Sequence, residues 1–474
     1  MQFIRCATTF TKLFMSTAVS VRRAREFFAT GVTRPLAFRR EQLEQLAAAL
    51  EQHEARLLSA LQSDLGKSPY QALSSEFGPV RAEIRQALRQ LSRWAAPSRR
   101  RTPWLVAPAQ GWVQPEPFGV ALILGPWNYP LQLLLAPLVS AIAAGNAVIL
   151  KPSELAPRTA EVLTTMVAAT FPAEYITMIN GGAEVAEALL QEKFDKIFFT
   201  GSPRVGRLVM AAAARHLTPV TLELGGKCPT IVCADAKVEL AARRIAWGKF
   251  LGAGQTCVAP DHVHVHRSLR EPFLRALKSS LLEFYGPDPR RSADYGRIAH
   301  ERHFDRLMNF LGDGKVFHGG EHHRQELYLA PTILTEIVPD SAVLQEEIFG
   351  PVLPVLEFDD LSEVVTRLQA APTPLALYLF TQDRELERKL IAQVRSGGAC
   401  VNDVISQMTG TNLPFGGLGE SGFGVGHGRA GFEAFSHRRS ILRRATWLDL
   451  PFRYPPARLS IAALKRALKF LLRD

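Results

Sequence analysis

Cysteine is scarce in this 474-residue chain. There are five (Cys6, Cys228, Cys233, Cys257 and Cys400), and no two form a CxxC pair. A small, odd set excludes a disulfide framework and suits a reducing compartment. No segment repeats with a period of 20–50 residues, which excludes a solenoid. Neither GxGxxG nor a Walker loop is present, so no nucleotide site is announced by a familiar glycine pattern. Charge is missing altogether from Pro117 to Leu150. A membrane span is the wrong reading of that gap, because Pro126, Pro130, Pro137, Gly145 and Asn146 divide it. It reads instead as a strand (Val120–Leu124), a loop, a buried helix (Leu131–Ala144) and a second strand (Ala147–Leu150).

Acid is absent before Glu26, while Arg5 and Lys12 are present. That pattern is transit-peptide-like, but the stretch is short and weakly amphipathic. A disordered extension over residues 1–20, or a working start at Met15, is the preferred reading, with the cytoplasm as location and mitochondrial targeting as the lesser alternative. The net charge of +11 is mostly local: from Arg438 onward ten Arg or Lys oppose only Asp449 and Asp474. No RNP, zinc-finger or helix-turn-helix signature accompanies this tail, so nucleic acid is not the expected partner. Ile461, Leu464, Leu468, Leu471 and Leu472 share one helical face, flanked by Lys465, Arg466, Lys469 and Arg473. Such a helix can pack on protein or lie on an anionic membrane surface.

What remains is ordinary α/β patterning. Residues 38–96 show helical spacing, as at Leu43, Leu46 and Leu50. Pro97 to Phe118 reads as an extended excursion or hairpin. Strands are expected at 120–124, 147–150, Lys196–Phe199 and Thr221–Leu224, alternating with helices, which implies a parallel sheet covered on both faces. A second alternating stretch from about 228 to 410 forms another lobe. Pro414 to Gly428 is glycine-dense loop.

Two motifs carry chemistry. Leu222-Glu223-Leu224-Gly225-Gly226-Lys227 places a carboxylate at a strand end, and Gly254-Gln255-Thr256-Cys257 places a thiol after a small loop. Nucleophile and base together suit acyl chemistry through a thioester. Isolated, Cys257 is more simply a packing residue, as Cys228, Cys233 and Cys400 are. Thr200-Gly201-Ser202-Pro203-Arg204-Val205-Gly206 is a turn opening a helix, where backbone N–H groups can face a pyrophosphate. Lys151-Pro152-Ser153-Glu154 ends another strand, where parallel sheets bind cofactors. On local evidence each is equally a plain turn. His262, His264 and His266 share a strand face but lack a further ligand, so no metal is assigned.

These segments, with Pro126-Trp127-Asn128-Tyr129-Pro130, Glu346-Glu347-Ile348-Phe349-Gly350-Pro351 and Pro414-Phe415-Gly416-Gly417, occur in the order and spacing of aldehyde dehydrogenases. The chain resembles that superfamily over nearly all of residues 20–440. Thr218–Glu223, Gln255–Asp261 and Phe435–Ser440 resemble the class 3 family, whose members favour medium- or long-chain aliphatic and aromatic aldehydes.

The resemblance implies a Rossmann-type cofactor domain over 21–222 with 97–118 as bridging excursion, an α/β catalytic domain over 223–415, a return segment over 416–440 and a basic tail over 441–474. The bridging element would serve oligomerisation, as a homodimer. It implies NAD(P)-dependent oxidation of an aldehyde to a carboxylic acid, with Cys257 as nucleophile, Asn128 and the Cys257 N–H as oxyanion donors, and Glu223 activating the hydrolytic water. Lys151, Glu154, Gly201, Ser202, Pro203, Arg204, Val205 and Gly206 would hold the adenosine and pyrophosphate end, and Glu347 and Phe349 the nicotinamide ribose. Glu154 would repel a 2′-phosphate, which favours NAD, with NADP tolerated in the class 3 family. Three alternatives stand beside this reading: a CoA-acylating semialdehyde dehydrogenase, which has no need of Glu223; an inactive scaffold, against which Cys257, Glu223 and Asn128 all argue; and a membrane-tethered scaffold led by the basic tail. Two positions depart from the family's pattern: Gly252 replaces the usual Asn, and Gly426 the usual Tyr.

Overall fold

The computed structural model describes residues 17–103, 106–449, 454–456 and 460–471. The chain divides into two compact units, Met1–Trp94 with Pro117–His437, and Ala95–Glu116 with Arg438–Asp474.

The larger unit is built on two sheets. The first runs Gly422–Phe423, Val220–Glu223, Lys196–Thr200, Val120–Leu124, Ala147–Lys151, Ile176–Met178 in spatial order. All neighbours are parallel except the short Gly422–Phe423 edge, which pairs antiparallel with Val220–Glu223. Every residue of Val120–Leu124 and Ala147–Lys151 is buried. That is why the uncharged run from Pro117 to Leu150 lacks alternation: a strand covered on both faces needs apolar side chains throughout. The helix between them, Gln132–Ala144, is buried nearly all round and ends at Gly145, whose φ of +94° supplies the left-handed cap. Asn146 follows; its Oδ1 accepts from the Gly119 N–H and its Nδ2 donates to the Phe435 carbonyl, fixing both strand entrances.

The second sheet runs Lys315–His318, Thr332–Thr335, Val352–Phe358, His262–His266, Pro229–Val232, Ala376–Phe380, Gly398–Val401. Only Lys315–His318 is antiparallel. The chain leaves the first sheet after Glu223 and enters the second at Pro229. Thr200 and Glu223 stand at the carboxyl ends of first-sheet strands, whereas the segments 224–228, 251–261 and 346–351 lead into the amino ends of second-sheet strands. In His262–His266 the rings of His262 and His264 lie 5.1 Å apart, and no set of three metal-capable side chains gathers among the described residues.

The smaller unit contains a three-stranded sheet of Ser98–Arg100, Ala109–Pro117 and Ser436–Arg444, with the second in the middle. Ser98 pairs with Val113 and Arg100 with Gly111, so the Pro- and Arg-rich stretch is a hairpin. Its helix, Ile461–Leu471, exposes Ile461, Leu464 and Leu468. Leu472 and Arg473 lie outside the described residues.

Three expectations need correction. Residues 17–20 are not a disordered extension: they open a helix over residues 17–29 in which Thr17 and Val21 are buried. Residues 1–16 lie outside the described residues. The division at 440/441 falls inside the strand Ser436–Arg444. Leu224 lies just past the strand, its N–H donating to the Ser421 carbonyl. No helix among the described residues is long and apolar enough to cross a membrane.

Candidate active site

Glu223 is the last residue of its strand, and the Gly201 N–H donates to its carbonyl at 3.0 Å. Its side chain is buried, and neither carboxylate oxygen has a hydrogen-bond partner. Burial alone raises its pKa well above the ordinary carboxylate value. A buried, unpaired carboxylate is expensive, and its persistence marks a group kept for proton transfer.

Cys257 follows a strained loop. Gly252, Ala253 and Gly254 all have positive φ, at +60°, +55° and +74°. A Cβ on Gly254 would sit 2.3 Å from the Gly350 carbonyl oxygen, so only glycine lets the loop pass there. Gln255 pins the loop from inside. Its Nε2 donates to the carbonyls of Gly252 and Arg297, and its Oε1 accepts from the Ala299 N–H. The half-buried thiol is pushed up to about 12, first by burial and then by the fields of Glu347 and Glu223. It is therefore protonated at neutral pH until a base removes its proton.

Asn128 reaches the same point from the loop after Val120–Leu124. Its Nδ2 donates to the Gln255 carbonyl at 2.9 Å, which uses one of two amide hydrogens. The other is available to the cavity that Asn128 lines. Below it lies a buried ion pair absent from the sequence reading. Lys67 Nζ donates to Glu76 at 2.5 Å and to the Asn128 carbonyl at 2.7 Å. The second Glu76 oxygen accepts from the Leu131 and Gln132 N–H groups. A π-helical turn, Leu73–Phe77, carries Glu76 inward. Removing one partner of such a pair costs about 3–5 kcal/mol, so this pair fixes the Asn128 loop. Tyr129 adds a 2.7 Å bond between its hydroxyl and that of Thr256.

Glu347 and Phe349 sit opposite. Phe349 has φ +51°, and its carbonyl is bonded to His303 Nε2 at 2.8 Å. Arg306 donates to the carbonyls of Glu347 and Ile348 at 3.0 and 2.6 Å. Lys227 bonds Asp261, which in turn accepts from the Ile348 N–H. These clamps hold a segment whose carboxylate covers Gly225 so closely that a Cβ there would lie 2.2 Å from Glu347 Oε2. Burial raises the Glu347 carboxyl to about 7, against the Gly226 N–H bond that favours its charge. His303 and Arg306, both on the helix Glu301–Asn309, carry no sequence signal beyond helical spacing.

Cys257, Glu223, Asn128, Glu347 and Phe349 line one cavity of about 310 Å³ with Thr200, Gly201 and Ser202. Of the remaining candidates, Ser202 caps the helix Pro203–Ala214 by accepting from the Val205 N–H, leaving that helix end pointed at the site. Pro203 opens the helix, Arg204 is exposed, and Gly206 packs where a Cβ would strike Leu224 at 2.8 Å. Lys151 and Glu154 do not line this cavity; Lys151, the last residue of Ala147–Lys151, pairs at 2.7 Å with Glu154 in the loop that follows. Burial opposes the Glu154 charge, but the bond to Lys151 prevails and holds its carboxyl below the ordinary value. A dinucleotide fits this arrangement. The orphaned, buried Thr200 hydroxyl and the helix N-terminus suit a pyrophosphate, and the Lys151–Glu154 pair suits a ribose.

The model of the aldehyde dehydrogenase family matches residues 16–441. The mouse protein "aldehyde dehydrogenase, dimeric NADP-preferring" is 45% identical over 439 residues, 92% of this chain and 97% of that protein. The 4,4′-diaponeurosporen-aldehyde dehydrogenase of Staphylococcus aureus is 42% identical over 435 residues, 91% of this chain and 95% of that one. Among solved structures, the substrate-bound state of Staphylococcus aureus AldH superposes with a TM-score of 0.93 at 40% identity, covering 96% of this chain and 99% of that chain. An indole-3-acetaldehyde dehydrogenase with NAD+ superposes at 0.83 and 27% identity, covering 91% and 89%.

Proposed function

The chain belongs to the aldehyde dehydrogenase family and oxidises aldehydes to carboxylic acids with NAD(P)+; we propose that Cys257, Glu223 and Asn128 carry the reaction. The observation that supports this most is the meeting of an unpartnered buried carboxylate, a half-buried thiol and the Asn128 amide on one cavity. Cys257 gives up its proton to water in the cavity, and Glu223 stays unprotonated for the later step. The thiolate attacks the aldehyde carbon, and the developing oxyanion receives hydrogen bonds from Asn128 Nδ2 and the Cys257 N–H, interactions worth about 10²–10³ in rate each. A dinucleotide held by the Thr200–Gly206 turn and the Lys151–Glu154 pair would supply the hydride acceptor, and Cys257 keeps the acyl group as a thioester. Glu223 then removes a proton from water, the water oxygen attacks the thioester carbon, and the C–S bond breaks to release acid. Glu347 and Phe349 orient the nicotinamide ribose, held by the His303 and Arg306 clamps. Water rather than CoA as acceptor follows from having a base that hydrolysis needs and CoA transfer does not.

The substrates are medium- or long-chain aliphatic or aromatic aldehydes. The apolar lining from Trp127, Leu133, Leu224 and Phe349 supports that class. NAD is the preferred dinucleotide: the Glu154 carboxylate, kept charged by Lys151, would repel a 2′-phosphate bound beside it. Replacing Glu154→Gln is expected to lower KM for NADP+ about threefold to tenfold and to leave KM for NAD+ within about twofold, a modest change because the site is partly solvated. Steady-state titration of both dinucleotides measures it; an unchanged NADP+ KM rejects Glu154 as the discriminator.

The protein is a homodimer through its smaller unit. Leu442 and Trp447 stay 54% and 78% exposed in the single chain, beside a sheet whose outer strand is mostly uncovered. It is cytoplasmic, with peripheral contact to anionic membranes through Ile461–Leu471. The exposed Ile461, Leu464 and Leu468 beside Lys465, Arg466 and Lys469 support that contact. Full-length protein is expected to co-sediment with vesicles containing anionic lipid at low salt, and protein truncated before Ser460 is not. Equal sedimentation of both rejects the tail as the contact.

A further inference from the structure

A second cavity lies behind Glu223. It is small, about 30 Å³, and shares Glu223, Thr200 and Leu133 with the catalytic cavity. Its far wall is Glu83, Gly426 and His427, and His427 also lines an open surface depression with Asn412, Arg429 and Glu433. The space exists because residue 426 is glycine. Its φ is unremarkable, and a Cβ there would meet nothing closer than the Phe198 ring at 3.7 Å. A volume of this size holds about two water molecules when polar groups surround it. The titratable groups on its walls are Glu223, Glu83 and His427.

We propose that the Gly426 cavity is a hydrated proton conduit that carries the proton from Glu223 to Glu83 and His427 and out to the surface depression. The inference rests on the role of Glu223 given above. In thioester hydrolysis the water proton goes to a Glu223 oxygen as the water oxygen bonds to the acyl carbon and the thiolate of Cys257 leaves. Glu223 must lose that proton before the next turnover, yet its buried carboxylate has no hydrogen-bond partner to pass it to. Through the conduit the proton moves along the waters to the Glu83 carboxylate and then, past His427, to solvent, with no change of oxidation state. Glu83 is built for the transfer. Both its oxygens accept from the Gly428 N–H, at 2.9 and 3.2 Å, and His427 Nδ1 lies 3.9 Å away. Burial raises its carboxyl to about 7, against the Gly428 bond, and lowers His427 to about 4, so that the imidazole is neutral and can both accept and donate. Glu83 and His427 are thus relay residues that act through Glu223.

The test is deacylation of the acetyl-enzyme formed from 4-nitrophenyl acetate, which needs no dinucleotide. Gly426→Val, which fills the conduit, and Glu83→Gln, which removes its acceptor, are each expected to slow deacylation about tenfold while the 4-nitrophenolate burst keeps its amplitude. Gly426→Thr has the shape of the valine variant but a hydroxyl that passes protons, and is expected to recover at least half of the lost rate. The rate in mixed H2O and D2O should be a curved function of deuterium fraction in the parent and a straight line in Gly426→Val and Glu83→Gln. Equal rates in the threonine and valine variants, or a parent-like rate in Glu83→Gln, overturn the conduit. Absence of any acyl-enzyme in the parent overturns instead the role given to Cys257 and Glu223.

Discussion

Cys257→Ala is expected to abolish NAD(P)H formation from any aldehyde, a loss of at least about four orders of magnitude. A general base, an oxyanion site and a bound dinucleotide cannot replace a missing covalent step. The fold should survive the change. The thiol is half-buried, and the loop is held by Gln255 and by the bond between Tyr129 and Thr256 rather than by sulfur. Dinucleotide binding, followed by fluorescence, should therefore match the parent. Substantial turnover in Cys257→Ala would remove the thiol from the mechanism, and Cys228, Cys233 or Cys400 would be no substitute, since none of the three lines the catalytic cavity.

Glu223→Gln is expected to behave in the opposite way at first and similarly in the end. Gln has the same shape, and the carboxylate it replaces has no partner to lose, so stability should hold or rise. The change also removes one of the fields that push the Cys257 thiol up. The thiolate then forms at lower pH, and acylation persists. Hydrolysis loses its base, worth about 10²–10⁴ in rate. Rapid mixing with aldehyde and NAD+ should give a burst near one NADH per site and then a steady rate at least about a hundredfold below the parent. A burst-free variant with parent-like kcat would show that water is activated elsewhere, and Glu347 would be the carboxylate to examine next.

The parts of the site legible in the sequence are those that lie in one short segment each. Glu223 ends an apolar strand and Cys257 ends a glycine loop, so both motifs announce their chemistry locally. The buried strands around Gln132–Ala144 were legible for a similar reason: prolines and Gly145 punctuate a run that is otherwise continuous. What could not be read depends on contacts between distant residues. Lys67, from a connection between helices, and Glu76, from a π-helical turn, support Asn128 from more than fifty residues earlier. His303 clamps the Phe349 carbonyl and Arg306 the Ile348 carbonyl, from a helix whose pattern reads as an ordinary amphipathic surface. The residue types at 17–20 gave no hint that Thr17 and Val21 pack inside, because burial there is set by tertiary structure rather than by local charge. Gly426 was visible as a departure from a pattern, but the cavity it opens behind Glu223 appears only when Phe198, Glu83 and His427 are placed around it.

The acyl group resides on Cys257 between hydride loss and hydrolysis. Glu223→Gln mixed with an aldehyde and NAD+, quenched in acid and digested, is expected to carry the acyl mass on the peptide containing Cys257, in amount equal to the NADH released. NADH released in the same amount with Cys257 unmodified would contradict it.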